Sequence, residues 1–160
     1  MRTEQLEAAY QAFVADAMAG GFGPPPPGEW SARQVVAHIA LNDGLLASAA
    51  GQVLAGEAGR FDNSNAADWA KVSAFADEHG SLAGGVEAVR ASGARLCVAA
   101  GRLTDEQAAI SIDVFILDGA DVAVDEPMPI GRLLAVQASF HLPAHAEQLR
   151  ALRPGAGPAS

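Results

Sequence analysis

Cysteine is almost missing from this chain of 160 residues: Cys97 stands alone, so no internal disulfide can form and no knuckle of several thiolates can hold zinc. Lysine is as scarce. Lys71 is the single lysine among ten basic residues, the arginines are scattered, and nineteen acidic residues leave a net charge of −9. Phosphate backbones are bound by clustered cations that displace counterions, so nucleic acid and anionic membrane are poor partners. Long apolar runs are lacking too, and no stretch of about 18 uncharged apolar residues is present to span a bilayer. Glu4 and Glu7 interrupt the first residues, which therefore do not follow the basic-then-apolar pattern of a secretory signal. A reducing, cytoplasmic setting is the expectation. No internal repeat is visible.

What the chain does have is apolar mass: half its residues are hydrophobic, enough for one folded domain over residues 1–153. The tail, 154–160, is Pro, Gly, Ala and Ser and is expected to be flexible. A first helix over about 3–18, with Thr3 as N-cap, carries Leu6, Tyr10, Phe13, Val14 and Ala17 on one face. Four consecutive prolines within 23–28 cannot enter a helix interior and form a stiff link. Ser31 and Gln34 make a capping box, with Trp30 and Val35 as a staple, opening a helix to about Gly56. Its face holds Val35, His38, Asn42, Leu45, Ala49 and Val53, with Ile39 and Leu46 at the edge. A shorter helix over 66–78 presents Trp69, Val72 and Phe75, and His79 and Gly80 close it. Ser81 caps a third long helix to about Leu103, whose stripe is Leu82, Val86, Val89, Leu96, Ala100 and Leu103. Cys97 borders that stripe, and an inert, buried thiol is the expectation.

Residues 111–128, SIDVFILDGADVAVDEPM, are the one place where strand signals outweigh helical ones, with Asp118-Gly119 as a hairpin turn. The acidic run Asp113, Asp118, Asp121, Asp125 and Glu126 matches no calcium-loop spacing and reads as a solvated face.

The last helix, over 131–152, places Leu134, Ala138, His141, His145, Leu149 and Leu152 on one stripe. Histidines four apart leave the same face about 6 Å apart along the axis, so both rings can converge on one ion. Buried imidazoles without partners are costly. His38 sits on another inward face, where taken singly it reads as a core histidine hydrogen-bonded to a neighbouring group, and His79 reads as a helix C-terminal residue. Sharing an ion among His38, His141 and His145 is the economical reading. Pro143 lies between the last two, where it removes the bond to the Ser139 carbonyl and should bend or loosen the turn.

These stretches, Trp30-Ser31 opening a helix, VVAHIA with His38, and PIGRLL…FHLPAHAEQLRAL with His141 and His145, resemble the DinB-like superfamily, which includes the mycothiol-dependent maleylpyruvate isomerase N-terminal domain and related bacterial thiol S-transferases. Heavy use of Ala, Gly and Arg fits a bacterial source. The resemblance implies an all-α, antiparallel four-helix bundle with a short extra helix and a small β-hairpin or extended excursion before the last helix. It implies a divalent ion, zinc or nickel, on His38, His141 and His145. It also implies a low-molecular-weight thiol such as mycothiol as co-substrate, and S-transfer or isomerisation of a small molecule. In the isomerase branch the first position of the final pair can be glutamate, so a histidine at 141 is nearer the transferase-like members. Asn42 and Gln137 are candidates to line the pocket, while Arg33 and Arg132 have no assignable role. The alternatives are a structural bundle, perhaps a homodimer, whose histidines are core residues or hold an ion that does no chemistry, and a metal-dependent hydrolase that needs no thiol.

Overall fold

The computed structural model describes residues 3–155, a mostly helical chain with a small sheet placed before its last helical segment. Helix α1 (Glu4–Ala19) buries Leu6, Tyr10, Phe13, Val14 and Ala17, the stripe its spacing foretells. Thr3 stands at the N-cap without capping: its backbone is already helical, and its hydroxyl donates to Glu7 Oε1 at 2.6 Å. The proline link is anchored at Gly23, whose N–H donates to the Leu152 carbonyl at 2.8 Å.

Helix α2 (Ala32–Leu54) begins with the expected capping box, Ser31 accepting from the Gln34 N–H and Gln34 Oε1 accepting from the Ser31 N–H at 2.9 Å. Ile39 and Leu46 are fully buried, not marginal. The physical reason is that α2 is central, packing against α4 (Trp69–Glu78), α5 (Leu82–Arg102) and the last helical segment, so more than one face is covered. The helix expected over 66–78 is in fact two. Helix α3 (Ser64–Ala67) stops at Asp68, whose carboxylate accepts from the Lys71 N–H at 2.9 Å and starts α4. Trp69 is thereby the first residue of α4 and is about half exposed, not aligned inward with Val72. Ser81 caps α5 as expected, through the Gly84 N–H.

At Gly93 of α5, a Cβ would lie 2.9 Å from the Tyr10 ring, so α1 approaches α5 closely only because that position is bare. Gly93→Ala gains about 1 kcal/mol of helix propensity but overpacks the seam at a cost of about 1–3 kcal/mol, and it pushes Tyr10 off its buried partner. We expect net destabilisation of about 2 kcal/mol, read as a lower urea midpoint with unchanged slope. A midpoint at or above that of the wild type would refute this packing.

After α6 (Asp105–Ala108), which is capped by Thr104 and Gln107, come β2 (Ser111–Asp118), β3 (Asp121–Asp125) and β4 (Met128–Pro129). Strand β1 (Arg60–Asp62), from the stretch expected to be loop, pairs parallel with β2, and β4 pairs antiparallel with it, so β2 is the centre of a four-stranded sheet and the other hairpin strand, β3, lies at its edge. Asp118 pairs with Asp121, making Gly119-Ala120 the turn, one residue later than the expected Asp118-Gly119. Gly119 has φ +61° and Ala120 no positive φ, the pattern of a type II′ rather than a type I′ turn. Phe61, Ile112, Val114 and Met128 are buried in the same core as the helices.

The last segment is α7 (Ile130–Val136), a π turn (Gln137–His141) and α8 (Leu142–Ala151). Pro143 thus coincides with a loosened turn, as expected, and not with an uninterrupted α-helix. The π turn closes with the Leu142 N–H on the Gln137 carbonyl and leaves Pro143 in the first turn of α8, where a missing N–H costs least. Three short helices, α3, α4 and α6, and the sheet accompany the four long helical segments, where one short helix and a hairpin were expected. Pro154 and Gly155 form a turn; the rest of the expected flexible tail, 156–160, lies outside the described residues. No helix among the described residues is long and apolar enough to cross a membrane.

Candidate metal centre

His38 comes from the second turn of α2, His141 from the end of the π turn and His145 from the first turn of α8, and the three rings meet. One nitrogen from each lies within 4.8 Å of the others. The centroids of His38 and His145, and of His141 and His145, are 4.6 Å apart, and His38 Nε2 lies 3.0 Å from His141 Nε2. Trp30 walls one side, its ring 4.7 Å from that of His38 and 6.4 Å from that of His145. His79 is not part of this group. It stacks on Phe75 at 4.2 Å and bonds the Phe75 carbonyl through Nδ1, as befits the C-cap of α4.

The hydrogen bonds decide which nitrogens are free. His38 Nδ1 is 2.7 Å from the Ala66 carbonyl, and a carbonyl oxygen only accepts, so this nitrogen carries the proton and Nε2 is left with its lone pair. His145 Nδ1 is 2.8 Å from Gln148 Oε1, with the same consequence. Fixing a histidine's outer nitrogen on a carbonyl so that the other can coordinate is the usual arrangement around metals. His141 differs: its Nδ1 is buried with no hydrogen-bond partner.

The rings are held neutral. Burial, then the neighbouring His145, pulls His38 down to about 4 against the opposing Ala66 carbonyl. Burial and both neighbouring histidines lower His141 well below the usual 6.5. Burial lowers His145 also, opposed by Gln148 and by the charge of Asp118. Asp118 is thus not only part of a solvated acidic face; it lies near enough to His145 to favour its charged form. All five acidic residues of that run are exposed.

Three neutral imidazoles are a donor set that zinc or nickel accepts. Bonds of about 2.0–2.1 Å in a tetrahedral set put two coordinating nitrogens about 3.3–3.4 Å apart, so the widest spacing must close and the 3.0 Å pair of His38 and His141 must open for one ion to reach all three. Among the described residues, no carboxylate or thiolate joins the cluster. Cys97 is half-buried where a buried thiol was expected, and burial, then the charges of Glu7 and Asp43, pushes its thiol up to about 11, which disfavours the thiolate.

One turn below the rings lies a polar group that sequence reasoning saw only in part. Asn42 and Gln137, candidates to line a pocket, are both buried, and Asn42 Nδ2 donates to Gln137 Oε1 at 3.2 Å. Asp43 was missed. Its carboxylate is wholly buried and accepts from the Tyr10 hydroxyl at 2.5 Å, Gln137 Nε2 at 2.9 Å and the Ser92 hydroxyl at 2.9 Å. Burial pushes it up to about 7, against the pull of these donors and of Arg95. A single aspartate inside the most apolar helix, with Tyr10 on the α1 stripe, was the available signal. Arg33 is tied to α4 through the Ala76 carbonyl at 2.6 Å and Asp77 at 3.2 Å, and Arg132 is exposed.

No family model matches the sequence, and no curated protein matches it either. Among solved structures, the fold is similar to that of the mycothiol-dependent maleylpyruvate isomerase, with a TM-score of 0.74, 17% identity, and coverage of 93% of this chain and 59% of that one. A histidine-to-alanine mutant of the mycothiol-dependent maleylpyruvate isomerase gives a TM-score of 0.69 and 14% identity, covering 91% of this chain and 57% of that one. The chain thus spans less than two thirds of the length of these structures. The likeness is one of fold alone.

Proposed function

On a DinB-like fold, we propose that this protein binds one divalent ion, zinc or nickel, through Nε2 of His38, His141 and His145, and uses it with a low-molecular-weight thiol in S-transfer or isomerisation of a small molecule. The observation that carries the metal reading is the pairing of Nδ1 of His38 with Ala66 and of His145 with Gln148, which leaves the inward nitrogens as bare donors. Three protein ligands leave a position open, the pattern of catalytic rather than closed structural sites. Because all three donors are neutral, the bound ion keeps its full charge and supplies Lewis acidity, stabilising anionic forms of small donor groups near neutral pH.

The chain's own residues contribute position and exclusion. Ala66 and Gln148 orient two rings, Trp30 shields one side from water, and burial keeps protons off the imidazoles. A thiol from outside the protein is favoured because the chain's own thiol is held protonated, and because the similar structures are of a mycothiol-dependent enzyme. Inductively coupled plasma analysis of protein purified without chelator should find close to one divalent ion per chain. Turnover of a small electrophile or of an isomerisable unsaturated acid should then require both the ion and a thiol such as mycothiol. A stripped protein as active as the metal-loaded one would overturn the metal role; turnover without thiol would instead favour a hydrolase.

A further inference from the structure

We infer that Gln137, backed by Asn42, is the positioning residue that aims His141 at the metal; this rests on the ligation proposed above. The two helical segments that supply the cluster face each other in two rungs. The upper rung is His38 against His141 at 3.0 Å, and the lower is Asn42 against Gln137 at 3.2 Å, four residues along each segment. The lower rung is anchored further. Gln137 Nε2 donates to Asp43 Oδ1 at 2.9 Å and reaches the Tyr10 hydroxyl at 3.5 Å, so α1 and α2 hold the amide together.

Gln137 opens the π turn and His141 ends it. In an α-helix, a residue leaves about 40° beyond the one four positions earlier; the wider π turn rotates less per residue, so its geometry sets the direction in which His141 departs. Isolated π turns are rare and tend to sit at functional sites, which implies outside support. Here that support is at both ends: Pro143 denies the Ser139 carbonyl its α-helical donor, and the Gln137 side chain is clamped into the core.

The need for such an anchor is specific to His141. His38 and His145 are each aimed by an acceptor on Nδ1, whereas His141 Nδ1 has none. Its ring cannot be set by its own second hydrogen bond. The backbone phase must do it, and Gln137 fixes that phase.

The test compares Gln137→Leu, Asn42→Ala and Ser92→Ala with the wild type. Ser92→Ala also removes a hydrogen bond from Asp43, but on the α5 side and away from the π turn. Zinc affinity is measured by chelator competition, coordination by the visible absorption of bound cobalt, and folding by melting in chelator. We expect Gln137→Leu to weaken zinc by about 10- to 100-fold, the scale for removing a group that orients a ligand, and to alter the cobalt spectrum. Asn42→Ala should move both readouts the same way by less. Ser92→Ala should lower the melting temperature while leaving affinity and spectrum unchanged. A folded Gln137→Leu protein with wild-type affinity and spectrum would overturn the proposal. Should that variant not fold, Asn42→Ala with unchanged affinity and spectrum does so. A wild type that takes up no metal would sink the ligation itself, whereas metal lost in His38→Ala but kept in Gln137→Leu sinks this inference alone.

Discussion

His38→Ala should strip the protein of its divalent ion, while His79→Ala should leave metal content unchanged. Removing a group that only orients a ligand typically weakens binding about 10- to 100-fold, and removing one of three ligands should exceed that. Two imidazoles then remain, and the Ala66 carbonyl loses its donor. The pH profile carries a second signature. Free imidazoles are half-protonated at about 6.5, but burial lowers all three, with neighbouring histidines adding to it for His38, held at about 4, and for His141. Protons therefore compete with the ion only in acid: retention should be flat from pH 7.5 to 6.5 and fall as pH drops toward 4. The sign for folding is the same. Depressed folded values mean that the unfolded chain takes up protons first, so the metal-free protein loses stability as pH falls from 6.5 through about 4. Metal analysis of both variants, and of the wild type dialysed across this range, checks it. Equal metal in His38→Ala and the wild type would reject the site.

The second large effect belongs to Asp43. Asp43→Leu removes the acceptor of three buried donors, Tyr10, Gln137 and Ser92, each worth about 1–3 kcal/mol if left unpaired. Ser92 retains the Val89 carbonyl at 3.2 Å, whereas Gln137 Nε2 keeps only the Tyr10 hydroxyl at 3.5 Å, its bond with Asn42 being accepted by Oε1; the Tyr10 hydroxyl and the Gln137 amide N–H are therefore the main orphans, and a net loss of about 3 kcal/mol is expected. The loss should depend on pH in a stated direction. A carboxyl raised from 3.8 to about 7 in the fold contributes most below 3.8 and loses that contribution as pH rises through 7. Asp43→Leu lacks this dependence. The histidines, common to both proteins, cancel in the difference, so the gap between wild type and variant should be wider at pH 5 than at pH 8. Urea unfolding in chelator at the two pH values measures this, and a gap that widens toward pH 8 would contradict a raised carboxyl.

Much of the local structure was legible because it is written in near neighbours. The Ser31–Gln34 box, the Ser81 cap and the α1 stripe depend on residues three or four apart. The errors were of the same range but a different origin. Asp68 won a cap that split one expected helix in two, and β1 became a strand only because β2 offered it an edge. Trp69 looked like a core residue by spacing and turned outward because α4 begins at it.

Periodicity alone placed His38 on one inward face and His141 with His145 on another, since it reports which side of a helix is apolar. It does not report which inward faces meet, and residues 38 and 141 are 103 positions apart in sequence. Tertiary packing decided that. It also decided which nitrogen of His38 is bare, through the Ala66 carbonyl of α3, and it supplied the partners that let an aspartate lie buried in α2. Proton placement and polar burial depend on groups brought together by the whole fold, and no single segment contains them.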